Sequence, residues 1–112
     1  MNTSYFARIN KLGNRNFISV ARTQPKGFNL PTALELVPSE HLLRDFKNGL
    51  LSETEYIKIY FKEVLSKLNP GDVYEKYKDC VLICWEKSDK FCHRHIISKW
   101  LEQELSVSVE EI

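Results

Sequence analysis

Glycine and proline are scarce in this chain, four of each in 112 residues, and no apolar run approaches the roughly 20 residues that span a bilayer. There is no glycine-rich phosphate loop, no G-x-S-x-G elbow, no H-E-x-x-H and no cysteine set five residues before an arginine as in phosphatase loops. The start MNTSYFARINK lacks the long apolar centre of a signal peptide, so the chain is expected to stay in the cytoplasm and off membranes. Three cysteines are an odd number, and a reducing compartment gives none of them reason to pair, so all three are read as free thiols. In that compartment Asn2-Thr-Ser4 is a chance match to the glycosylation pattern.

Net charge is also nearly absent, at +1, but its distribution is uneven. Arg8, Lys11, Arg15, Arg22 and Lys26 stand in the first 34 residues without a single acid, while the other 11 bases face all 15 acids. A basic segment carrying Tyr5, Phe6, Phe17 and Phe28 suits a phosphate-bearing small molecule or a nucleic acid; the more ordinary reading is a solvated surface over core aromatics. With 43% hydrophobic residues the chain can bury one core, and residues 1–112 are read as one domain.

The pattern along the chain predicts strands at Ser4–Ile9 and Asn16–Ala21, then a long loop through 22–38 punctuated by Pro25, Gly27, Pro31 and Pro38. Ser39 caps a short helix to Lys47, closed by Asn48-Gly49. Ser52-Glu-Thr-Glu55 is a capping box, and Tyr56, Ile57, Tyr60, Phe61, Val64, Leu65 and Leu68 follow at helical spacing. A shorter helix over 72–78, led by Pro70 and Asp72, precedes Val81-Leu-Ile-Cys-Trp85, an apolar run typical of a strand covered on both faces. A helix from Cys92 to Leu105 and a strand at Ser106–Glu110 complete an α/β fold: a small layered domain with a mostly parallel sheet of about four strands flanked by helices.

Parallel pairing of the second and third strands would bring their carboxyl ends together, delivering Arg22-Thr-Gln24 beside Glu86-Lys87, where open α/β sheets bind ligands. On a wheel of 100° per residue His93 falls with Ile96, Ile97, Trp100 and Leu101 on the inward face, and His95 falls opposite. Arg94 lies at the edge of that face in the first turn, where free amides and a guanidinium fork favour a phosphate or carboxylate. Cys92 stands in the same turn, a setting that lowers a thiol pKa, so it is a candidate nucleophile as well as a small buried hydrophobe. Cys84 near the strand end is core or rim, and Cys80 carries no signal. Glu86 is a candidate general base or an ion-pair partner for Arg94 or Arg22. Cys84, Cys92 and His93 lack the paired spacing of zinc ligands, and adjacent helical residues diverge by about 100°, so no metal is expected.

Thr3-Ser-Tyr-Phe-Ala-Arg-Ile9, Ile18-Ser-Val-Ala-Arg22 with Pro25, Ser52-Glu-Thr-Glu-Tyr56 with Tyr60, Leu82-Ile-Cys-Trp-Glu-Lys87 and Phe91-Cys-His-Arg-His95 occur in order along nearly the whole chain. In these blocks the chain resembles the short members of the domain of unknown function 488 family. The resemblance implies a compact α/β fold without an established activity, and it marks Arg22, Cys84, Glu86, Cys92, His93 and Arg94. The expected function is an anion pocket with Arg22, Arg94 and Cys84 on the ligand and Cys92, His93 and Glu86 on the reactive side. The alternatives are an enzyme that uses Cys92 as a thiolate and a zinc-binding module; the cofactor stays open.

Overall fold

A computed structural model describes residues 1–112, with four parallel strands in one sheet of order β2-β3-β1-β4. The strands are β1 (Asn2–Tyr5), β2 (Asn16–Ser19), β3 (Cys80–Cys84) and β4 (Glu110–Glu111). The helices are α1 (Glu40–Lys47), α2 (Glu53–Glu63), α3 (Pro70–Tyr77) and α4 (His93–Leu105). This is the expected α/β class. Central β3 pairs on one side with β2, Phe17 opposite Val81, and on the other with β1, Thr3 opposite Leu82. That double pairing, with helices over the faces, explains why Val81–Cys84 is apolar and buried at every position.

The helices start where local chemistry favours them. Ser39 accepts from the Leu42 amide at the head of α1, and Asn69 accepts from Asp72 ahead of Pro70 in α3. At α2 the capping box is complete: Ser52 Oγ accepts from the Glu55 amide at 3.1 Å, and Glu55 Oε1 accepts from the Ser52 amide at 2.9 Å. Ser52→Ala is therefore expected to destabilise the fold by about 1 kcal/mol in urea unfolding, and an unchanged midpoint would refute this role for the cap. One core unites β3 (Leu82, Ile83), α4 (Ile97, Leu101) and α2 (Tyr60) with Leu36 and Leu42. Buried Tyr60 donates its hydroxyl to the Leu36 carbonyl at 2.6 Å, pinning the loop that follows β2.

Several boundaries differ from the expected ones. The first strand ends at Tyr5, because its pairing ends where β3 ends, opposite Cys84. Phe6–Lys11 then turns as a 3-10 helix and buries Phe6 against Phe28 and Trp85. The long helix after Ser52 stops at Glu63, and Leu65–Lys67 is a separate 3-10 turn that keeps Leu65 in the core. Cys80 is the first residue of β3, opposite Asn16. The last strand is only Glu110–Glu111, since Ser106 adopts the left-handed conformation (φ 55°) as it closes α4. No helix is long and apolar enough to cross a membrane.

Candidate active site

The parallel pairing of β2 and β3 puts their carboxyl ends side by side. The Val20 amide donates to the Ile83 carbonyl at 2.9 Å, and one turn further Trp85 Nε1 donates to the Thr23 carbonyl at 2.8 Å. Beyond these ends lies a cavity of about 250 Å³. The segment after β2 supplies Ala21, Arg22 and Thr23, the end of β3 supplies Cys84, Trp85 and Glu86, and the entry to α4 supplies Phe91, Cys92 and His93. Leu43 and Phe46 of α1 and Tyr56 of α2 close the apolar wall. Five of the residues marked in the sequence, Arg22, Cys84, Glu86, Cys92 and His93, thus line one space, and Arg94 is not among them.

His93 organises the cavity floor. Its ring is buried, Nε2 lies 2.6 Å from the Val20 carbonyl oxygen, and the Tyr60 ring packs 5.7 Å away. A carbonyl oxygen can only accept, so Nε2 carries the proton and Nδ1 presents a lone pair. That lone pair faces two sulfurs: Cys84 Sγ at 3.7 Å and Cys92 Sγ at 3.9 Å. The sulfurs are 2.7 Å apart.

The electrostatics divide the two thiols. Cys92 is held well below the ordinary thiol range, first by the hydrogen bond from Cys84, then by His93 and the backbone amide of Arg94, all against the opposing effect of burial. Cys84 moves well above it, because it keeps its proton to donate to Cys92 and because it is buried. The phenol of Tyr56 is raised by burial and by the charge of these sulfurs, so it faces the cavity as a neutral group.

The backbone explains why Cys92 and His93 converge when a helical wheel separates them. Cys92 is the cap residue of α4, with extended φ −156° and ψ 147°, and does not belong to the helix. The 100° divergence applies only between helical residues. As a result Cys84 Sγ, Cys92 Sγ and His93 Nδ1 all lie within 4.8 Å of one another, a set of donors that could hold a soft divalent metal with one face open to the cavity.

Arg94 is turned the other way. It is 0% exposed and binds Glu111 through two bonds, Nε to Oε1 at 3.1 Å and Nη2 to Oε2 at 2.9 Å, which occupies the fork expected to hold an anion. Burial pulls the Arg94 pKa down, and the Glu111 hydrogen bond and charge more than offset it. Glu86 makes no ion pair with either arginine; it is exposed at the cavity mouth. Arg22 is also exposed there, with Nε donating to the Pro38 carbonyl at 3.1 Å and the remaining donors of its fork uncommitted within the chain. His95 is half-buried in place of facing water, and its Nε2 has no partner.

The DUF488-N3a family model, described as the active DUF488-N3 subclade, matches residues 2–105. The chain belongs to the DUF488-N3a family. No curated protein and no solved structure matches it. The match takes in every residue that lines the cavity and stops before Glu111, the partner of Arg94. Sequence reasoning missed Glu111, Phe46, Tyr56 and the Val20 carbonyl. Apolar spacing signalled Tyr56 only as core, and a backbone carbonyl carries no sequence signal at all.

Proposed function

We propose that this DUF488-N3a chain is a cytoplasmic, cysteine-dependent enzyme that acts on a small phosphate-bearing ligand, such as a nucleotide or the end of a nucleic-acid strand. The observation that carries this reading is the orientation of His93: with Nε2 anchored on the Val20 carbonyl, Nδ1 can only address the cavity sulfurs. Nδ1 takes the Cys92 proton, and the resulting imidazolium keeps one N–H on Val20 and turns the other toward the thiolate. The thiolate sulfur bonds to an electrophilic atom of the ligand as the bond to the leaving group breaks and Nδ1–H protonates that group; water, giving its proton to Nδ1, then cleaves the sulfur–ligand bond and frees Cys92. Cys84 donates to the thiolate and lowers its basicity. Arg22 at the mouth is the cation that remains for a phosphate once Arg94 is committed to Glu111. Phe46, Tyr56, Trp85 and Phe91 offer faces for a planar ring, and a space of about 250 Å³ suits a fragment of a nucleotide more than a whole one. The description of the family as active agrees with a catalytic role.

A screen of nucleotides and 5′-phosphorylated oligonucleotides by thermal shift tests the ligand class. Arg22→Ala is expected to weaken the best hit at least about 10-fold, whereas Cys92→Ser keeps binding and loses turnover. A screen without any stabilising ligand would sink the phosphate reading. The second reading, a metal held by Cys84, Cys92 and His93, rests on their mutual distances. Elemental analysis of protein purified without a metal-affinity step separates the two: about one equivalent of zinc, lost in His93→Ala, favours the metal, and less than about half an equivalent excludes it.

A further inference from the structure

The reaction proposed for the cavity uses one thiol as nucleophile, yet two stand there. Cys84 and Cys92 are 4% and 5% exposed, and their Sγ atoms lie 2.7 Å apart. A disulfide measures about 2.05 Å between sulfurs, so joining this pair takes an approach of roughly 0.7 Å. The chain between them can supply it. Trp85–Lys90 are exposed, with a single backbone hydrogen bond inside the segment, from the Lys90 amide to the Lys87 carbonyl at 3.0 Å. Cys92 itself has extended backbone outside α4. Cys80, at the other end of β3, is about 13 Å away along the strand and cannot compete.

We propose that Cys84 and Cys92 form a reversible redox site, closed into an intramolecular disulfide by a small hydroperoxide that enters the cavity. Both cysteines line the space of about 250 Å³, with Arg22 and Glu86 exposed at its mouth, so a peroxide can reach them. A bulky disulfide such as oxidised glutathione cannot align its own sulfurs with thiols buried this deeply. Cys92 gives its proton to His93 Nδ1, 3.9 Å away, and its sulfur attacks the O–O bond. That bond breaks, the leaving oxygen takes the proton from Nδ1 as an alcohol or water, and Cys92 becomes a sulfenic acid. Nδ1, 3.7 Å from Cys84, then accepts the Cys84 proton as the Cys84 sulfur attacks Cys92 and hydroxide leaves as water. Two thiols are oxidised, one hydroperoxide is reduced, and a dithiol reverses the bond. The site shares the Cys92–His93 pair with the proposed reaction but needs no phosphate ligand.

Peptide mapping of the whole chain tests this, after reduction and removal of metal by a chelator. Trypsin separates Asp79–Lys87, which holds Cys80 and Cys84, from Phe91–Arg94, which holds Cys92. After hydrogen peroxide and blocking of free thiols, the two peptides should appear joined, lighter by two hydrogen atoms, and should part on adding dithiothreitol. Cys80→Ser should give the same link. Oxidised glutathione at equal concentration should form it at least about 10-fold more slowly. In Cys84→Ser the sulfenic acid has no partner and passes to sulfinic acid, so Cys92 labelling recovered by dithiothreitol should fall at least about 10-fold below wild type. No joined peptide in the wild-type chain, a link lost in Cys80→Ser, equal rates with the two oxidants, or full recovery in Cys84→Ser would each overturn the proposal. A missing phosphate ligand defeats the catalytic reading alone, and a missing cross-link defeats this one alone.

Discussion

Glu111→Ala is expected to lose about 3–5 kcal/mol of stability. Glu111 accepts from Arg94 through both carboxylate oxygens, and also from Thr3 Oγ1 at 2.6 Å on β1 and from Ser88 Oγ at 2.6 Å in the loop after β3. One side chain thus joins three segments. Removing it strands a guanidinium that is 0% exposed and already has one nitrogen, Nη1, without a partner. A buried charge left alone is far more costly than the pair is stabilising, so Arg94→Met in the Glu111→Ala background should recover part of the loss. Urea unfolding measures both, and a loss under about 1 kcal/mol for Glu111→Ala would show that Arg94 finds solvent or another partner.

The same carboxylate sets an acid limit. Burial pushes the Glu111 pKa up, while the bonds from Arg94, Ser88 and Thr3 pull it further down, from 4.5 to about 2. Because the folded value lies below the unfolded one, its contribution is fully present above pH 4.5 and fades as pH falls toward about 2. At 1.36 kcal/mol per pH unit that contribution is at most about 3 kcal/mol, and solvent screening of the partly exposed carboxylate lowers it. Urea midpoints taken between pH 6 and 2.5 should fall for the wild-type chain, with a visibly flatter profile in Glu111→Gln. Parallel profiles would assign the acid sensitivity to other groups.

At pH 6, alkylation by iodoacetamide is expected to fall on Cys92 almost alone. Its thiol is held low by Cys84, His93 and the helix start, whereas Cys84 is raised by its bond to Cys92, and Cys80 is raised by burial and then by Asp79. Thiolate fraction governs the rate, so mass spectrometry should find Cys92 modified at least about 10-fold faster than Cys80. His93→Ala should move the pH dependence of Cys92 labelling upward by removing the proton acceptor. Equal rates at the three cysteines, or a Cys92 profile centred at the ordinary thiol value of 9.0, would remove the nucleophile from the proposed mechanism.

Much of the fold was legible because its determinants are local. The Ser39 and Ser52 caps, the Pro70 start, the apolar β3 run and the periodicity of α4 each act within a few residues, and each element stands where its pattern put it. The ends of elements were read less well, since they depend on pairing: β1 stops at Tyr5 because β3 stops opposite it, and β4 shrinks to two residues after Ser106 turns. Of the residues that line the cavity, the strand-end rule pointed to Arg22 and Glu86 and the first turn of α4 to Cys92 and His93, whereas Cys84 was read as core or rim. The role of Arg94 was misread because its first-turn position suits an anion, and nothing within α4 reveals that the anion is the chain's own Glu111.

By itself, the sequence determined the α/β class, the parallel delivery of two strand ends to one crevice, and five of the residues that line it. Tertiary structure alone decided the rest: that Cys92 caps α4 in an extended conformation and so meets Cys84 and His93, that the Val20 carbonyl, 73 residues from His93, fixes the imidazole proton on Nε2, and that Glu111 claims Arg94. The reason is physical. Helices and strands are selected by interactions between near neighbours, whereas proton positions, ion pairs and buried sulfur contacts are set by whichever groups the packed chain brings within a few ångströms, and sequence spacing does not encode those distances.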